Sequence, residues 1–144
     1  MANSEKNIEI VLSKQALDLS ACQAFVESPD CGGLVHFVGT VRNHTKGLKV
    51  LSLDFEAYEP MAISEMRKIA EQAVEIFSIR KIAIHHRVGL LQIGEIPVII
   101  SVSSHHRKAA FEACQYAIDT LKETVPIWKK EILENGEVWV SATP

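Results

Sequence analysis

The 144-residue chain lacks most features that would place it in a specialised class. No apolar run approaches the roughly 18 residues that a membrane-spanning helix needs. The opening MANSEKNIEI has no continuous apolar stretch of the kind a secretory signal carries, so no export is expected. Cysteine is scarce: Cys22, Cys31 and Cys114 are odd in number, widely spaced and without a CxxC pair. That excludes a disulfide framework and points to free thiols in a reducing compartment, hence the cytoplasm. A nucleophilic cysteine stays open as an alternative, although Cys114 falls on a helical apolar stripe, where a buried, inert thiol is the usual case. Charge of one sign is not in excess. The formal net charge of -3 argues against nucleic acid or a membrane surface as a partner. Phosphate-cradling Gly-rich loops, a GxSxG elbow and a paired-carboxylate pattern are all missing.

Metal-ligand spacing is missing as well. His85-His86 and His105-His106 invite a zinc reading, but no HExxH-like pattern accompanies them. On a strand, adjacent residues point to opposite faces, so His85 and His86 are not expected to share an ion.

What remains is ordinary globular material, 47% hydrophobic and 23% charged, long enough to bury a core as one domain over residues 1–144. Ile8 to Ser13 alternates as a strand, and Ala16 to Val26 reads as a short helix ended by Ser28-Pro29. Gly33 to Arg42 alternates, with Val35, Phe37 and Val41 on one face and His36, Thr40 and Arg42 on the other. Lys49 to Tyr58 alternates again, with Leu51, Leu53 and Phe55 together, and the intervening Asn43 to Gly47 predicts a hairpin between the two runs. Pro60 suits a helix start, and Met66, Ile69, Ala70, Ala73 and Phe77 follow at helical spacing. Lys81 to Val88 and Ile96 to Ser103 read as strands, with Pro97 near a strand start. Asn135-Gly136 between Ile127–Leu133 and Glu137–Val140 is a strong hairpin signal. The expected fold is α+β: antiparallel hairpins packed with about three helices in a hammerhead-like domain.

The stretch SSHHRKAAFEACQYAIDTLKETVPIWKKE, from Ser103 to Glu131, is more pointed. Ala110, Cys114, Ala117, Ile118 and Leu121 form the stripe of an amphipathic helix that Pro126 ends. Ser103 or Ser104 is placed to cap its start. His105, His106, Arg107 and Lys108 crowd that start, where cations oppose the helix dipole; the crowding reads either as a solvated first turn or as the mark of a compensating anion. Arg107 offers a fork for phosphate or carboxylate, and His106 a donor or proton carrier. Lys122 closes the helix, where a lysine also simply suits the dipole. Lys129 lies beyond the proline, where a partly desolvated lysine gains chemical use and a solvated one is an edge charge. Arg42 ends a strand before a turn, a common place for ligand contacts as well as for plain surface arginines. Fifteen residues separate Arg107 from Lys122, roughly 22 Å along a helix. One small ligand does not span them, so a site using both ends would be shared across a two-fold dimer.

The same residues carry a resemblance. Gly39-Thr40-Val41-Arg42-Asn43-His44 resembles the G-x-V-R-x-H segment of the large, catalytic subunits of molybdopterin synthase. Phe55-Glu56-Ala57-Tyr58-Glu59-Pro60-Met61 resembles their next strand and helix start. His86-Arg87-Val88-Gly89 with Gly94-Glu95 is similar to their H-R-x-G-x-L-x-x-G-D/E segment. Ser104-His105-His106-Arg107, Leu121-Lys122 and Pro126-Ile127-Trp128-Lys129-Lys130-Glu131 resemble the S-x-H-R helix, its late lysine and the P-x-W-K-K/R-E segment. The match runs in order from about Gly32 to Val140.

The resemblance implies a cytoplasmic sulfurtransferase of molybdenum cofactor biosynthesis. A small ubiquitin-like sulfur-carrier subunit ending in Gly-Gly would bring a C-terminal thiocarboxylate. Its sulfur would pass to cyclic pyranopterin monophosphate to make the molybdopterin dithiolene. The implied assembly is a heterotetramer around a homodimer of this chain, with no cofactor and no metal. The matching positions imply Lys122 and Lys129 as catalytic groups, and Arg42, His106 and Arg107 as substrate-binding groups. A non-catalytic dimeric docking platform for the same sulfur carrier is the alternative. His105 stands where the family commonly has a small residue.

Overall fold

The computed structural model describes residues 6–141. Along the chain run β1 (Ile8–Ser13), α1 (Leu19–Val26), β2 (Gly33–Gly39), β3 (His44–Thr45), β4 (Leu48–Ala57) and α2 (Glu59–Phe77). There follow β5 (Lys81–Arg87), β6 (Gly89–Gln92), β7 (Val98–Ser104), α3 (Arg107–Thr124), β8 (Ile127–Leu133) and β9 (Val138–Ser141). Among the described residues, three helices and mostly antiparallel pairing give the expected α+β fold.

Two sheets form. The first has the order β1-β5-β7-β2, with only β1 and β5 parallel. Helix α1 packs on one of its faces and α2 and α3 on the other. The second runs β3-β4-β8-β9, with β6 also paired to β4. Alternation explains the split of β5. Ile82, Ile84 and His86 belong to the side facing α2 and α3, while Ala83 and His85 face α1.

Helix α3 is the principal rod. Ala110, Ala113, Cys114, Ala117, Ile118 and Leu121 are all buried, as the sequence stripe predicts. Small residues at Ala110, Ala113 and Ala117 allow close approach to β2 and β7. Pro126 lies just past the helix, and Val125 takes an extended conformation before it, so the chain turns directly into β8. The backbone of Tyr58 donates to the carbonyl of Pro126 at 3.1 Å and ties the start of α2 to this corner.

Several expectations need correction. Gly33 to Arg42 and Lys49 to Tyr58 do not form one hairpin: β2 pairs β7, whereas β4 pairs β8, β6 and the two-residue β3. Only the tight turn Lys46-Gly47, both residues at positive φ, closes a small hairpin there. Leu51 does not share a face with Leu53 and Phe55. A register shift between Val50 and Ser52 turns it outward, 46% exposed, and buries Val50 instead. The segment between Lys81–Val88 and Ile96–Ser103 is not only a connection, because β6 lies within it. Lastly, Ser103 and Ser104 belong to β7; His106 occupies the position before α3 and no side chain caps the helix. The first helix also starts later than expected, at Leu19, because the Asp18 carboxylate accepts from the Ser20 amide and caps it there. The Asn135-Gly136 hairpin forms between β8 and β9 as expected, with Gly136 at φ 88°.

The start of α3 is set by a close backbone approach. A Cβ on Gly33 would stand 2.8 Å from the Arg107 Cα, and Gly32 donates its amide to the His105 carbonyl at 3.1 Å. Gly33→Ala should therefore push β2 and α3 apart and lower the unfolding free energy by about 1–3 kcal/mol. A denaturant titration with an unchanged midpoint would remove this contact as a constraint on the helix.

Candidate active site

A cleft of about 460 Å³ opens where the two sheets and the end of α3 meet. The end of β2 and the following Thr40 form one wall, and Ile118, Leu121 and Lys122 of α3 another. Leu53 and Phe55 of β4 and Lys129 of β8 face them, with His86, Pro97 and Val98 below. Arg42 also lines it.

The corner at Pro126 explains how Lys122 and Lys129 come together. Lys122 is the last-turn base of α3, and Lys129 is the third residue of the strand that begins three residues past the helix. Their companions differ. Lys129 is half-buried and its ammonium lies 3.7 Å from the Glu131 carboxylate on the same strand face. Lys122 is exposed, and neither it nor Arg42 has a carboxylate partner among the described residues. Lys130 points elsewhere: it gives a 3.0 Å hydrogen bond to Glu56, which also accepts from the Trp128 indole. That pairing lowers the Glu56 carboxyl and raises the Lys130 ammonium. Of the two neighbouring lysines, only Lys129 belongs to the cleft.

Arg42 is held through a loop that sequence reasoning passed over. The Val41 amide donates to the Glu95 carbonyl at 3.0 Å, and the Gly94 amide returns to the Val41 carbonyl at 2.9 Å. The Glu95 carboxylate in turn accepts from the Gln92 amide at 2.7 Å and lies 3.4 Å from the Arg87 guanidinium. The Gln92 amide and the Arg87 contact hold the Glu95 carboxyl below the usual range. Arg87 and Glu95 thus act on Arg42 at one remove. The signal for them was the H-R-x-G…G-E resemblance itself, which had no chemical role attached.

His106 and Arg107 are not in this cleft. They sit exposed at the opposite end of α3, without a carboxylate partner among the described residues. The His105 and His106 rings meet edge-on at 4.5 Å, and His105 bonds the Asp30 carbonyl at 2.9 Å. His105 therefore has an anchoring contact, while His106 and Arg107 face outward beside the uncapped helix start. One chain brings Arg42, Lys122 and Lys129 together and leaves His106 and Arg107 apart.

The remaining titratable groups divide by face. On the α1 side, the Cys22 thiol lies 3.3 Å from His85 Nδ1, and His85 Nε2 lies 2.8 Å from the Glu9 carboxylate. On the cleft side, His86 Nδ1 donates to the Arg87 carbonyl at 2.8 Å and the ring meets the Phe55 edge at 5.4 Å. The opposite-face expectation for the two histidines holds. Burial pushes the His86 imidazole down to about 4, against the weaker opposing effect of the Arg87 carbonyl.

That shift has a consequence for stability. An unfolded histidine takes up a proton below about 6.5, whereas the folded His86 stays neutral down to about 4. Stability should fall as pH drops through that window, by up to about 3 kcal/mol, and level off below it. Denaturant unfolding at a series of pH values should show this slope in the wild type and a flatter one in His86→Phe. Equal slopes would assign the acid sensitivity elsewhere.

The sequence and the architecture have known counterparts. Residues 12–124 match the family described as MoaE protein. The molybdopterin synthase catalytic subunit of Homo sapiens is 46% identical over 136 residues, 94% of this chain and 72% of that protein. That of Bacillus subtilis is 50% identical over 115 residues, 80% of this chain and 73% of its own length. The crystal structure of molybdopterin synthase from Staphylococcus aureus superposes with a TM-score of 0.84 at 41% identity, covering 92% of this chain and 95% of that one. A Helicobacter pylori complex of subunits 1 and 2 of molybdopterin-converting factor aligns with a TM-score of 0.72 at 25% identity, over 91% of this chain and 87% of that one. With its sequence matched over most of its length and its fold shared, the chain belongs to the MoaE family of molybdopterin synthase catalytic subunits.

Proposed function

We propose that this chain transfers sulfur from the C-terminal thiocarboxylate of a small ubiquitin-like subunit to cyclic pyranopterin monophosphate, forming the molybdopterin dithiolene. The observation that carries the reading is the cleft itself: Arg42, Lys122 and Lys129 converge on one cavity, and Arg42 and Lys122 have no acid partner among the described residues. Such a cluster is electrostatically incomplete without an anion. A thiocarboxylate at the end of a side-chain-free Gly-Gly tail is an anion narrow enough to enter. Among the described residues no helix is long and apolar enough to cross a membrane.

In this reading the lysine ammonium groups orient the thiocarboxylate and stabilise charge that builds on its acyl oxygen as sulfur departs. In each transfer the thiocarboxylate sulfur bonds a precursor carbon in place of an oxygen substituent; water then adds to the acyl carbon and the acyl C–S bond breaks, which leaves the sulfur on the precursor and the tail an ordinary carboxylate. Lys122 is the main catalytic group, as proton carrier or as the amine that takes the acyl group. Lys129, steadied by Glu131, is its companion. Arg42 holds the precursor from within the cleft.

His106 and Arg107 hold the precursor phosphate from a second copy of the chain. The support is helix length: α3 runs from Arg107 to Thr124, so its two ends face different places. The uncapped start supplies free amide donors beside the Arg107 fork. A two-fold dimer that sets the start of one α3 near the end of the other completes both sites at once.

Reconstitution with thiocarboxylated partner and precursor tests the chemistry. Lys122→Ala should lower turnover by about 100- to 1,000-fold, with Lys129→Ala also impaired and partner binding retained in both. Undiminished product formation in both variants would refute the catalytic assignment of these lysines. Mixed dimers test the sharing. Lys122→Ala and Arg107→Ala subunits, each inactive alone, should regain about a quarter of wild-type activity when co-assembled, because half of the dimers carry one intact site. No recovery would confine each site to a single chain.

A further inference from the structure

The charged side chains of the cleft are all donors. Arg42, Lys122 and Lys129 can only donate when charged. His86 differs. Its Nδ1–H is spent on the Arg87 carbonyl, so Nε2 keeps its lone pair, and that nitrogen has no hydrogen-bond partner among the described residues. The side chain is fully buried, yet it lines the cleft. Phe55 at its edge and Val98 on the paired strand hold the ring in place. A buried acceptor without a donor is unfavourable, and a fold tolerates one most readily where a ligand brings the donor.

At the neighbouring wall Gly39 packs against Val98, where a Cβ would stand 2.8 Å from a Val98 methyl. That wall is also the end of β2, an edge strand paired only with β7, so one side of its backbone is open to an extended segment. An extended Gly-Gly terminus fits that edge. Its terminal anion matches the three cations, and its amide N–H groups, immediately behind that anion, find no acceptor among them.

We infer that His86 is a tail-binding residue: its Nε2 accepts a backbone N–H from the terminal Gly-Gly of the small partner and sets how deeply the thiocarboxylate stands between Lys122 and Lys129. The inference rests on the proposed sulfur transfer and adds a contact to it. Because the imidazole stays neutral, the acceptor is available across the physiological pH range.

The test is a double-mutant cycle on binding of the unactivated, carboxylate-ended partner. His86→Phe keeps an aromatic ring against Phe55 and removes the acceptor. It should weaken partner binding about 3- to 10-fold, leave precursor affinity unchanged, and leave the unliganded protein no less stable at neutral pH. Deleting Gly-Gly from the partner should then cost less affinity with His86→Phe than with the wild type. Additive losses, or an unchanged partner affinity, would overturn the inference. A weakened precursor affinity with intact partner binding would overturn it too, by assigning Nε2 to the pterin. Should His86→Phe fold poorly, the wild type answers alone. The His86 Nε2 NMR resonance should move when tailed partner binds and stay in place with the tail-deleted one; movement with both, or neither, refutes the contact. A wild type that binds neither partner nor precursor would instead refute the proposed function.

Discussion

The burial of one face of α3 against the first sheet is the constraint from which the rest follows. Ala110, Ala113, Ala117 and Leu121 bring the helix close to β2 and β7 and leave it no freedom to slide. A rod fixed in this way fixes both of its ends. At one, Gly33 and Gly32 press against the backbone of residues 105–107 and hold His106 and Arg107 outward. At the other, Pro126 turns the chain so that Lys129 returns beside Lys122. Two cationic groups about 22 Å apart on one rigid element are unlike two groups on a loop, because no hinge motion can bring them to one small ligand. A shared, two-fold arrangement is then the economical way to use both.

The second sheet supplies what the rod lacks. It carries Lys129 and Glu131 on one face and Lys130, Trp128 and Glu56 on the other, so strand alternation sorts two adjacent lysines into different roles. Lys130 is neutralised by Glu56 and serves pairing of β4 with β8. Arg42 is fixed by backbone bonds to the Gly94-Glu95 loop rather than by an acid of its own. Its positive charge therefore stays uncompensated toward the cleft, as an anion-binding group requires, while its position is still determined.

Legibility in the sequence tracked how local the determining physics is. Periodicity placed α2 and α3, since each buried face is set by spacing within a single element. The Asn135-Gly136 turn placed β8 against β9 because two residues at a turn decide the pairing. The β2–β4 hairpin failed for the converse reason. Both runs alternate correctly, but alternation says which face is buried and not which strand lies alongside, and the partners β7 and β8 are remote in sequence. Leu51 was misplaced because a bulge changes the count by one and leaves no mark in composition. In the site, charge and motif single out Lys122, Lys129 and Arg42; the corner at Pro126 joins the two lysines locally, yet only long-range packing brings Arg42 to their cleft. His86 was dismissed as a metal ligand on sound grounds, since adjacent strand residues diverge. That argument could not say which face would meet the cleft.

The two faces of β5 show why position outweighs residue type. Cys22, His85 and Glu9 stand in line at 3.3 and 2.8 Å, a sequence of groups that elsewhere activates a thiol nucleophile. Here Cys22 is fully buried on the sheet-facing side of α1, and burial, with Glu9 and Asp18 nearby, pushes its thiol up to about 11. The thiol stays protonated and donates to His85, whose other nitrogen donates to Glu9; the chain of bonds fastens α1 to the sheet. One residue further on, His86 has fewer partners and more consequence. It is as buried as Cys22, but its Nε2 lone pair has no partner among the described residues, and the residue lines a cleft whose charged side chains are all donors. A satisfied network inside the protein has nothing left to offer a ligand, whereas an unsatisfied acceptor at a cationic cleft supplies the hydrogen bond that the cations cannot.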